Sequence, residues 1–432
     1  MQHKLFKGAA IGLAAVLAMT GCSSGETGGG GEITLNMVES LTSPGRTALL
    51  KTQLAEFEKA NSGIKVNLIS PPTNSADQKL QQMLQSEKGI DVLEVRNTTV
   101  GPFGANGWLY DMTSEIAGWS GWDDLTDAAK KGGVVNEKQY YIPYGFYVRT
   151  LFYRTDLVEQ AGFEPPHSWA DVLEQSEALT DPAKNQYGYA FRGGQRANGN
   201  IVAIIEAYVG DKVDPANAFK QKDGSTIFAA PEAKDAMEMY YELFKKGSPP
   251  SSVAWGFPEM VQGFSSGSVA FLLQTPEVII SVGESESITK EQWSTTPLPV
   301  GPTGKATISA GAVGWGVAES SPHHAEAVKL VQFLTEGAPA LEFSKANSVV
   351  PSLKSAADDP FFKTGPWASY LTMNENPDTY LIVQDPQDAP WWTEWDNKAD
   401  SEFQEFLIGQ MSLDDLLSGW DKYWTDKWNN AG

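Results

Sequence analysis

Residues 32–95 alternate between short apolar strands and amphipathic helices. Residues 32–38 place apolar side chains at every second position, as a half-buried strand does. Two further strand patterns follow at 64–69 and 90–95. The segments between them carry leucines at helical spacing, from residue 46 to a stop at Asn61-Ser62-Gly63 and then over Ala76–Ser86. This order of strand, helix, strand, helix, strand predicts a parallel sheet covered by helices.

An aromatic-rich stretch, Gln139–Asp156, interrupts this regularity. It holds seven aromatic rings and two arginines in eighteen residues. Pro143 and Gly145 indicate a break between two extended pieces, because proline fixes φ and lacks an N–H while glycine tolerates unusual φ values. On composition alone, an ordinary strand–turn–strand in a core remains an equal alternative.

The residues after this stretch carry a family resemblance. In order, they read Arg154-Thr155-Asp156-Leu157, then Ala161-Gly162-Phe163, then Pro165-Pro166-His167-Ser168-Trp169 at the opening of a helix. This order resembles the family 1 extracellular solute-binding proteins, the sugar- and polyol-capturing components of ABC importers. The resemblance extends from about Glu32 to Trp428. It implies that Ile142–Arg149 is the first of three crossings between two lobes, at the base of a ligand cleft.

The resemblance also implies the fold class. We expect an α/β, two-lobed periplasmic-binding-protein-like fold, each lobe a sheet flanked by helices, with a three-segment hinge. One lobe would take residues 32–143 and 307–352, and the other 144–306 and 353–432. These boundaries follow from the resemblance, since periodicity does not assign elements to lobes.

The net charge of the chain argues against two kinds of binding partner. The 432 residues include 54 acidic and 32 basic side chains, for a net charge of -22. Binding to nucleic acid relies on Lys and Arg neutralising phosphates, so this balance argues against it. The same balance argues against electrostatic capture by anionic lipid.

The N-terminus predicts export and anchoring. Residues 1–21 combine Lys4 and Lys7 with a short apolar stretch that ends in small residues before Cys22, as a secretory signal peptide does. Small residues leading to a cysteine resemble the bacterial lipoprotein signal, in which the thiol is lipidated. A simple signal peptide with a chance cysteine is the alternative, although the chain has no second cysteine to pair with it. We therefore expect an extracytoplasmic protein, lipid-anchored to the bacterial cell membrane at Cys22 through a flexible tether over 22–31.

Catalytic motifs are weak. The four histidines have no partners at metal-ligand spacing. Residues 263–267 match G-x-S-x-G by spelling, but that motif needs a strand before it and a helix after it, and the predicted order is the reverse. No catalytic residue, metal or cofactor is predicted. A glycosidase carboxylate pair could still be present among the many acids, because sequence does not show their separation.

Aromatic candidates for a sugar site come from the fourteen tryptophans. Sugars present flat C–H faces that stack on exposed aromatic rings. Trp315 lies in the glycine-flanked second crossing, where packing between lobes is the alternative. Trp391 and Trp392 follow Pro390, and Trp255 lies between Ala254 and Gly256. We expect these rings to line the cleft.

Polar candidates follow strand ends and the hinge. Ligands bind at the carboxyl ends of parallel strands in open α/β sheets, which selects the residues after the first and third strands. Others come from the hinge, from a loop that resembles one in polyol- and disaccharide-type members, and from the end of the strand over 269–273. A structural ion pair or cap is the open alternative for each. The candidates are Glu39, Ser40, Arg96, Asn97, Tyr147, Arg149, Arg192, Asn198 and Gln274.

The expected function is an extracytoplasmic receptor of an ABC importer. It would close on a neutral mono- to oligosaccharide or polyol and deliver it to membrane permease subunits, as a monomer. An acidic or phosphorylated sugar is a minority option, because arginine suits bidentate anion recognition. The alternatives are a secreted carbohydrate-active hydrolase and a surface sugar sensor without transport.

Overall fold

The computed structural model describes residues 32–309, 311–386, 389 and 391–430. The predicted signal peptide, Cys22 and the tether lie outside these described residues. The strands, in chain order, are β1 (Ile33–Val38), β2 (Ile64–Ile69), β3 (Val92–Arg96), β4 (Val134–Val135), β5 (Lys138–Gln139), β6 (Tyr141–Tyr147), β7 (Thr150–Tyr153), β8 (Tyr187–Tyr189), β9 (Val213–Asp214), β10 (Asn217–Gln221), β11 (Val269–Gln274), β12 (Ser294–Thr296), β13 (Ala306–Ser309), β14 (Gly311–Val317), β15 (Val350–Pro351) and β16 (Tyr380–Val383).

Helices cover the faces of the sheets. Within the part of the chain that is described, no helix is long and apolar enough to cross a membrane. The helices are α1 (Pro44–Ala60), α2 (Thr73–Ser86), α3 (Asn97–Ala105), α4 (Thr113–Ile116), α5 (Gly121–Asp124), α6 (Asp127–Gly132), α7 (Thr155–Gln160), α8 (Trp169–Ala178), α9 (Asn198–Val209), α10 (Pro231–Gly247), α11 (Phe257–Ser265), α12 (Val278–Gly283), α13 (His324–Thr335), α14 (Gly337–Ala346), α15 (Pro360–Lys363), α16 (Ala368–Glu375), α17 (Trp392–Leu407) and α18 (Leu413–Asn430).

The first lobe is built on a six-stranded sheet of order β15-β6-β14-β3-β1-β2. β1 pairs in parallel with β2 and β3, which confirms the parallel sheet predicted from the N-terminal pattern. β14 then pairs antiparallel with both β3 and β6. Gly314 makes that last pairing possible, because a Cβ there would lie 2.1 Å from the carbonyl oxygen of Ile142.

The second lobe is built on a four-stranded sheet of order β12-β7-β11-β8. A separate ribbon, in which β13 and β16 run parallel, packs against α9 of this lobe. The C-terminal helices α17 and α18 pack against each other and complete the lobe. The structure is therefore the expected two-lobed α/β fold.

The crossings between lobes fall later in the chain than predicted. β6 stays in the first sheet to Tyr147 and β7 joins the second sheet at Thr150. The chain therefore changes lobe at Val148–Arg149, within the predicted crossing Ile142–Arg149 but after the lobe boundary given at residue 143. β13 pairs with β16, so the second lobe extends through Ser309, beyond the predicted boundary at 307.

The third crossing is shifted in the same direction. The first lobe continues past residue 352, because Lys345 forms an ion pair with Asp359 at 2.5 Å. The chain reaches the second lobe at Pro366, whose carbonyl oxygen accepts a hydrogen bond from Thr295 at 2.6 Å. Sheet pairing and these contacts, which are non-local, set the boundaries.

Candidate functional site

The hinge strands have one polar and one apolar face. Successive side chains of a strand point to opposite sides, so Tyr147 and Arg149 face away from Phe146 and Val148. In β13, Thr307 and Ser309 likewise alternate with Ile308. Phe146, Val148 and Ile308 line an apolar cavity of about 520 Å³ between the lobes. The opposite face of the hinge therefore presents the hydroxyl, phenol and guanidinium groups.

Helix α9 forms a wall beside this polar face. Nearly all of its residues are buried, and Gly199 and Ala203 are its two half-buried positions. A Cβ on Gly199 would lie 2.7 Å from a terminal nitrogen of Arg149, so the guanidinium lies against this stripe. Glu206 falls on the same stripe two helical turns on. The small residues of this stripe thus leave room beside Arg149 and Glu206.

Three acidic side chains meet the hinge from the second lobe. Glu206 accepts a hydrogen bond from Thr307, Asp385 accepts one from Ser309 at 2.5 Å, and Glu277 accepts one from Thr275 at 2.5 Å. Burial, followed by the nearby Asp385, raises the pKa of Glu206 well above its ordinary value. Burial also raises the pKa of Glu277.

Two of these acids, Glu206 and Glu277, can each accept a further hydrogen bond. Among the described residues, one carboxyl oxygen of Glu206 and one of Glu277 are buried without a hydrogen-bond partner. The charge of Arg149 opposes this rise in pKa at both acids, but burial outweighs it. A buried polar atom without a partner is costly unless a ligand or water satisfies it. The arrangement is suited to a ligand with several hydroxyl groups.

The first-lobe side of the site rests on a buried ionic network. Glu94 accepts hydrogen bonds from the Ser40 hydroxyl at 2.9 Å and from the Leu41 amide at 2.9 Å, and it pairs with Arg46. The Tyr144 hydroxyl donates to its other oxygen at 2.5 Å. Burial is the main cause that raises the pKa of Tyr147. The nearby charges of Glu94 and Glu277 raise it further, and those of Arg46 and Arg96 lower it. Tyr147 therefore lies where the two lobes meet.

Six predicted residues are placed around this hinge. Asn97 and Tyr147 flank Gly311, each with an atom 3.8 Å from the position of a Cβ there. Gln274 ends β11 in register with Thr150, next to Arg149. Arg192 lies near Arg149, and burial followed by that like charge lowers the pKa of Arg192 to about 10. Arg96 forms an ion pair with Asp77, and its charge lowers the pKa of Tyr147 slightly against the larger effect of burial. The six are Arg96, Asn97, Tyr147, Arg149, Arg192 and Gln274.

Glu39, Ser40 and Asn198 are engaged elsewhere. Glu39 and Ser40 are 0% and 1% exposed, with Glu39 accepting from Thr47 at 2.7 Å and Ser40 donating to Glu94. Asn198 is buried and donates to Asp396 at 2.8 Å, which ties α9 to α17. Each of these three side chains makes a structural contact of the kind that was the open alternative, and their contact with ligand stays a prediction.

Two tryptophans predicted for the cleft lie outside it. Trp315 is 1% exposed, with Tyr144 and Phe343 rings at centroid distances of 5.5 and 6.2 Å, so it is part of the first-lobe core. Trp255 packs on Gly263 and lines a surface hollow that includes Tyr187, at the start of β8. The hinge lies at the other end of that sheet. The residues that surround each tryptophan in the tertiary fold, which sequence does not show, decide both cases.

Seven of the fourteen tryptophans are buried in the core. Trp391 and Trp392 are half-buried and lie 6.3 and 6.4 Å from the ring of Trp424. Their contact with ligand stays a prediction. The aromatic cluster that they join has a buried centre, which contains Phe219, Phe228, Trp395, Trp420 and Trp424.

Sequence reasoning missed Glu206, Asp385 and the role of Glu277. Glu206 had a signal: it is the one charged residue of the otherwise apolar run Ile201–Val209. Asp385 and Glu277 had none, because they lie in loops whose direction depends on the tertiary fold. In the described part of the chain, no group of three or more His, Cys, Asp or Glu side chains is arranged to hold a metal ion.

Comparison with known proteins places the chain in a family. The profile described as "Bacterial extracellular solute-binding protein" matches residues 42–338. The chain belongs to this family. A mannitol-binding protein of Pseudomonas aeruginosa is 28% identical over 221 residues, a match that spans 50% of this chain and 49% of that protein. A putative binding protein of Brucella abortus is 22% identical over 382 residues, 84% of this chain and 85% of that protein.

Solved structures of solute-binding proteins share the fold. Maltose-bound T. maritima MalE3 has a TM-score of 0.75 at 21% identity, covering 90% of this chain and 98% of that one. A solute-binding protein of Agrobacterium vitis with bound D-mannitol has a TM-score of 0.71 at 21% identity, covering 92% and 99%. These likenesses confirm the two-lobed fold that the resemblance implied.

Proposed function

We propose that this solute-binding protein is the extracytoplasmic receptor of an ABC importer that closes its lobes on a neutral mono- to oligosaccharide or polyol. The observation that carries the proposal is the polar face of the hinge. There the charge of Arg149 acts on Glu206 and Glu277, Glu277 acts on Tyr147, and the amide of Gln274 follows in register with Thr150. Carboxylates, an amide and a guanidinium together supply the planar, multidentate hydrogen bonds that hydroxyl groups need. The mannitol-binding relative and the maltose- and mannitol-bound structures support the ligand class.

Closure would follow from contacts made by both lobes. Tyr147 belongs to the first sheet, whereas Glu206 and Glu277 belong to the second lobe, so a ligand held by all three favours the closed state. The protein has a binding role and no catalytic one, as for its relatives described as binding proteins. Anchoring through lipidated Cys22, delivery to permease subunits and a monomeric state complete the proposal.

A thermal-shift screen of the chain lacking residues 1–22 tests it. The panel contains mannitol, ribitol, tagatose, maltose and longer oligosaccharides. A ligand at one hundred times its Kd stabilises by about 2.7 kcal/mol, which is a readily measured rise in Tm. The expected result is at least one hit that is recovered chemically unchanged. A cleaved product would favour the hydrolase alternative, and no hit would remove the carbohydrate assignment.

Two variants test whether a ligand found in this screen binds at the hinge. Arg149→Ala should abolish the ligand-induced rise in Tm, because its guanidinium lies on the open face of α9. Lys290→Ala removes an exposed cation near β12 and serves as the matched control. An Arg149→Ala variant that binds with wild-type affinity would place the site elsewhere.

A further inference from the structure

A buried tyrosine links two of the three crossings between the lobes. The hydroxyl groups of Tyr370 in α16 and Thr150 in β7 share a hydrogen bond of 3.1 Å. Thr150 begins the second sheet directly after the crossing Val148–Arg149. Tyr370 follows Pro366, at which the third crossing enters the second lobe. Because Tyr370 and Thr150 are 6% and 0% exposed, water competes little for this bond, which ties the second-lobe ends of both crossings together.

The ring of Tyr370 is held by packing that does not involve its hydroxyl. It lines the apolar cavity between the lobes together with Val148 and Ile308. The ring of Trp367 lies 5.4 Å from it between centroids, and Trp367 in turn packs on Phe362 at 5.2 Å. Aromatic rings at these separations attract each other, so Tyr370→Phe keeps the packing and removes only the hydrogen bond.

The partner of this hydroxyl lies next to a residue of the polar face. Thr150 contacts Tyr370, and Val148 lines the same cavity as Tyr370. Arg149 lies between Val148 and Thr150 in the chain and therefore points the other way. There its guanidinium lies against Gly199 of α9. The direction in which this long side chain leaves the hinge is set by the backbone, so fixing Thr150 also fixes the starting point of Arg149.

We propose that Tyr370 is a positioning residue for ligand binding, whose hydrogen bond to Thr150 holds Arg149 on the polar face of the hinge. This inference rests on the proposed function and adds a buried residue to it. Without the bond, the crossing Val148–Arg149 loses a restraint, and both the angle between the lobes and the direction of the guanidinium vary more. Ordering them on binding then costs part of the binding free energy. Ligand affinity should therefore depend on a buried hydroxyl.

Calorimetry with D-mannitol and maltose compares Tyr370→Phe with wild type. Kd should increase by about threefold to tenfold, the equivalent of one net hydrogen bond. Thr150→Val should have the same effect, and the double variant should lose no more than either single variant, because all three lack the same bond. Thr150→Ser keeps a hydroxyl and should recover most of the affinity. Tyr380→Phe changes another buried tyrosine of the same cavity and is the matched control, with Kd as in wild type.

Melting temperatures of the same variants separate positioning from stability. An unchanged Kd for Tyr370→Phe, or losses that add in the double variant, would make the bond a structural one and overturn the inference, even if Tm falls. If neither probe nor any panel compound binds, the carbohydrate function falls, and energy transfer between dyes on the two lobes tests the inference instead. With dyes at exposed Lys51→Cys and Lys222→Cys, Tyr370→Phe should broaden the distribution of inter-lobe distances relative to wild type and Tyr380→Phe. An unchanged distribution would then overturn the inference.

Discussion

Replacing Arg46 by methionine removes the cation from a buried ion pair and keeps an unbranched side chain. Arg46 and Glu94 are 5% and 1% exposed. In the variant, Glu94 remains enclosed with its Ser40, Leu41 and Tyr144 donors but without a counter-charge. Removing one partner of a buried pair costs about 3–5 kcal/mol, because the remaining charge stays desolvated. We expect a loss of this size in the free energy of unfolding at pH 7.

The loss should depend on pH in one direction. Burial pushes the pKa of Glu94 upward, but Arg46, Tyr144 and the backbone donors outweigh it, so the pKa is lowered overall. A lowered pKa contributes stability above the unfolded value, near 4.3, that is lost as pH falls through the folded value. Without Arg46, Glu94 protonates more easily. The stability gap between wild type and R46M should therefore narrow as pH approaches about 4.

Urea unfolding followed by tryptophan fluorescence measures the effect, since Trp315 lies beside Tyr144 in the same core. A double-mutant cycle with Glu94→Gln should show coupling, with R46M/E94Q less destabilised than the sum of the single variants. Lys65→Met, which breaks an exposed pair with Glu58, is the matched control and should have little effect. An R46M variant no less stable than K65M would refute the reasoning.

Three further predictions concern the tryptophans and the anchor. Trp315→Ala should cost about 3–5 kcal/mol in urea unfolding, as for a large buried aromatic, and a loss of affinity at unchanged stability would contradict its place in the core. Trp255→Ala should leave Kd for any panel hit unchanged by calorimetry, because Trp255 lies away from the hinge, and a tenfold weaker Kd would return it to the cleft. Cys22→Ser should release the protein from the membrane fraction in cell fractionation, whereas continued membrane association would argue against lipidation at Cys22.

The sequence by itself determined the local elements and the class of fold. The alternation in β1 and β2 and the leucine spacing in α1 are local properties, and they predicted the parallel part of the first sheet. The order of motifs from Arg154 to Trp169 identified the family, which the match over residues 42–338 confirms. Tyr147 and Arg149 could be predicted as hinge residues because this crossing is continuous in the chain, and their contact with ligand stays a prediction.

Only the tertiary structure decided which side chains meet at the hinge. The glycine-rich strand around Trp315 predicts a cleft residue. In the structure, Tyr144 of β6 and Phe343 of α14 pack against it. Glu206 and Asp385 are far apart in sequence and are joined by the two hydroxyls of β13. Periodicity tells which residues share a face of one element, but the neighbour of that face is set by long-range packing and sheet pairing.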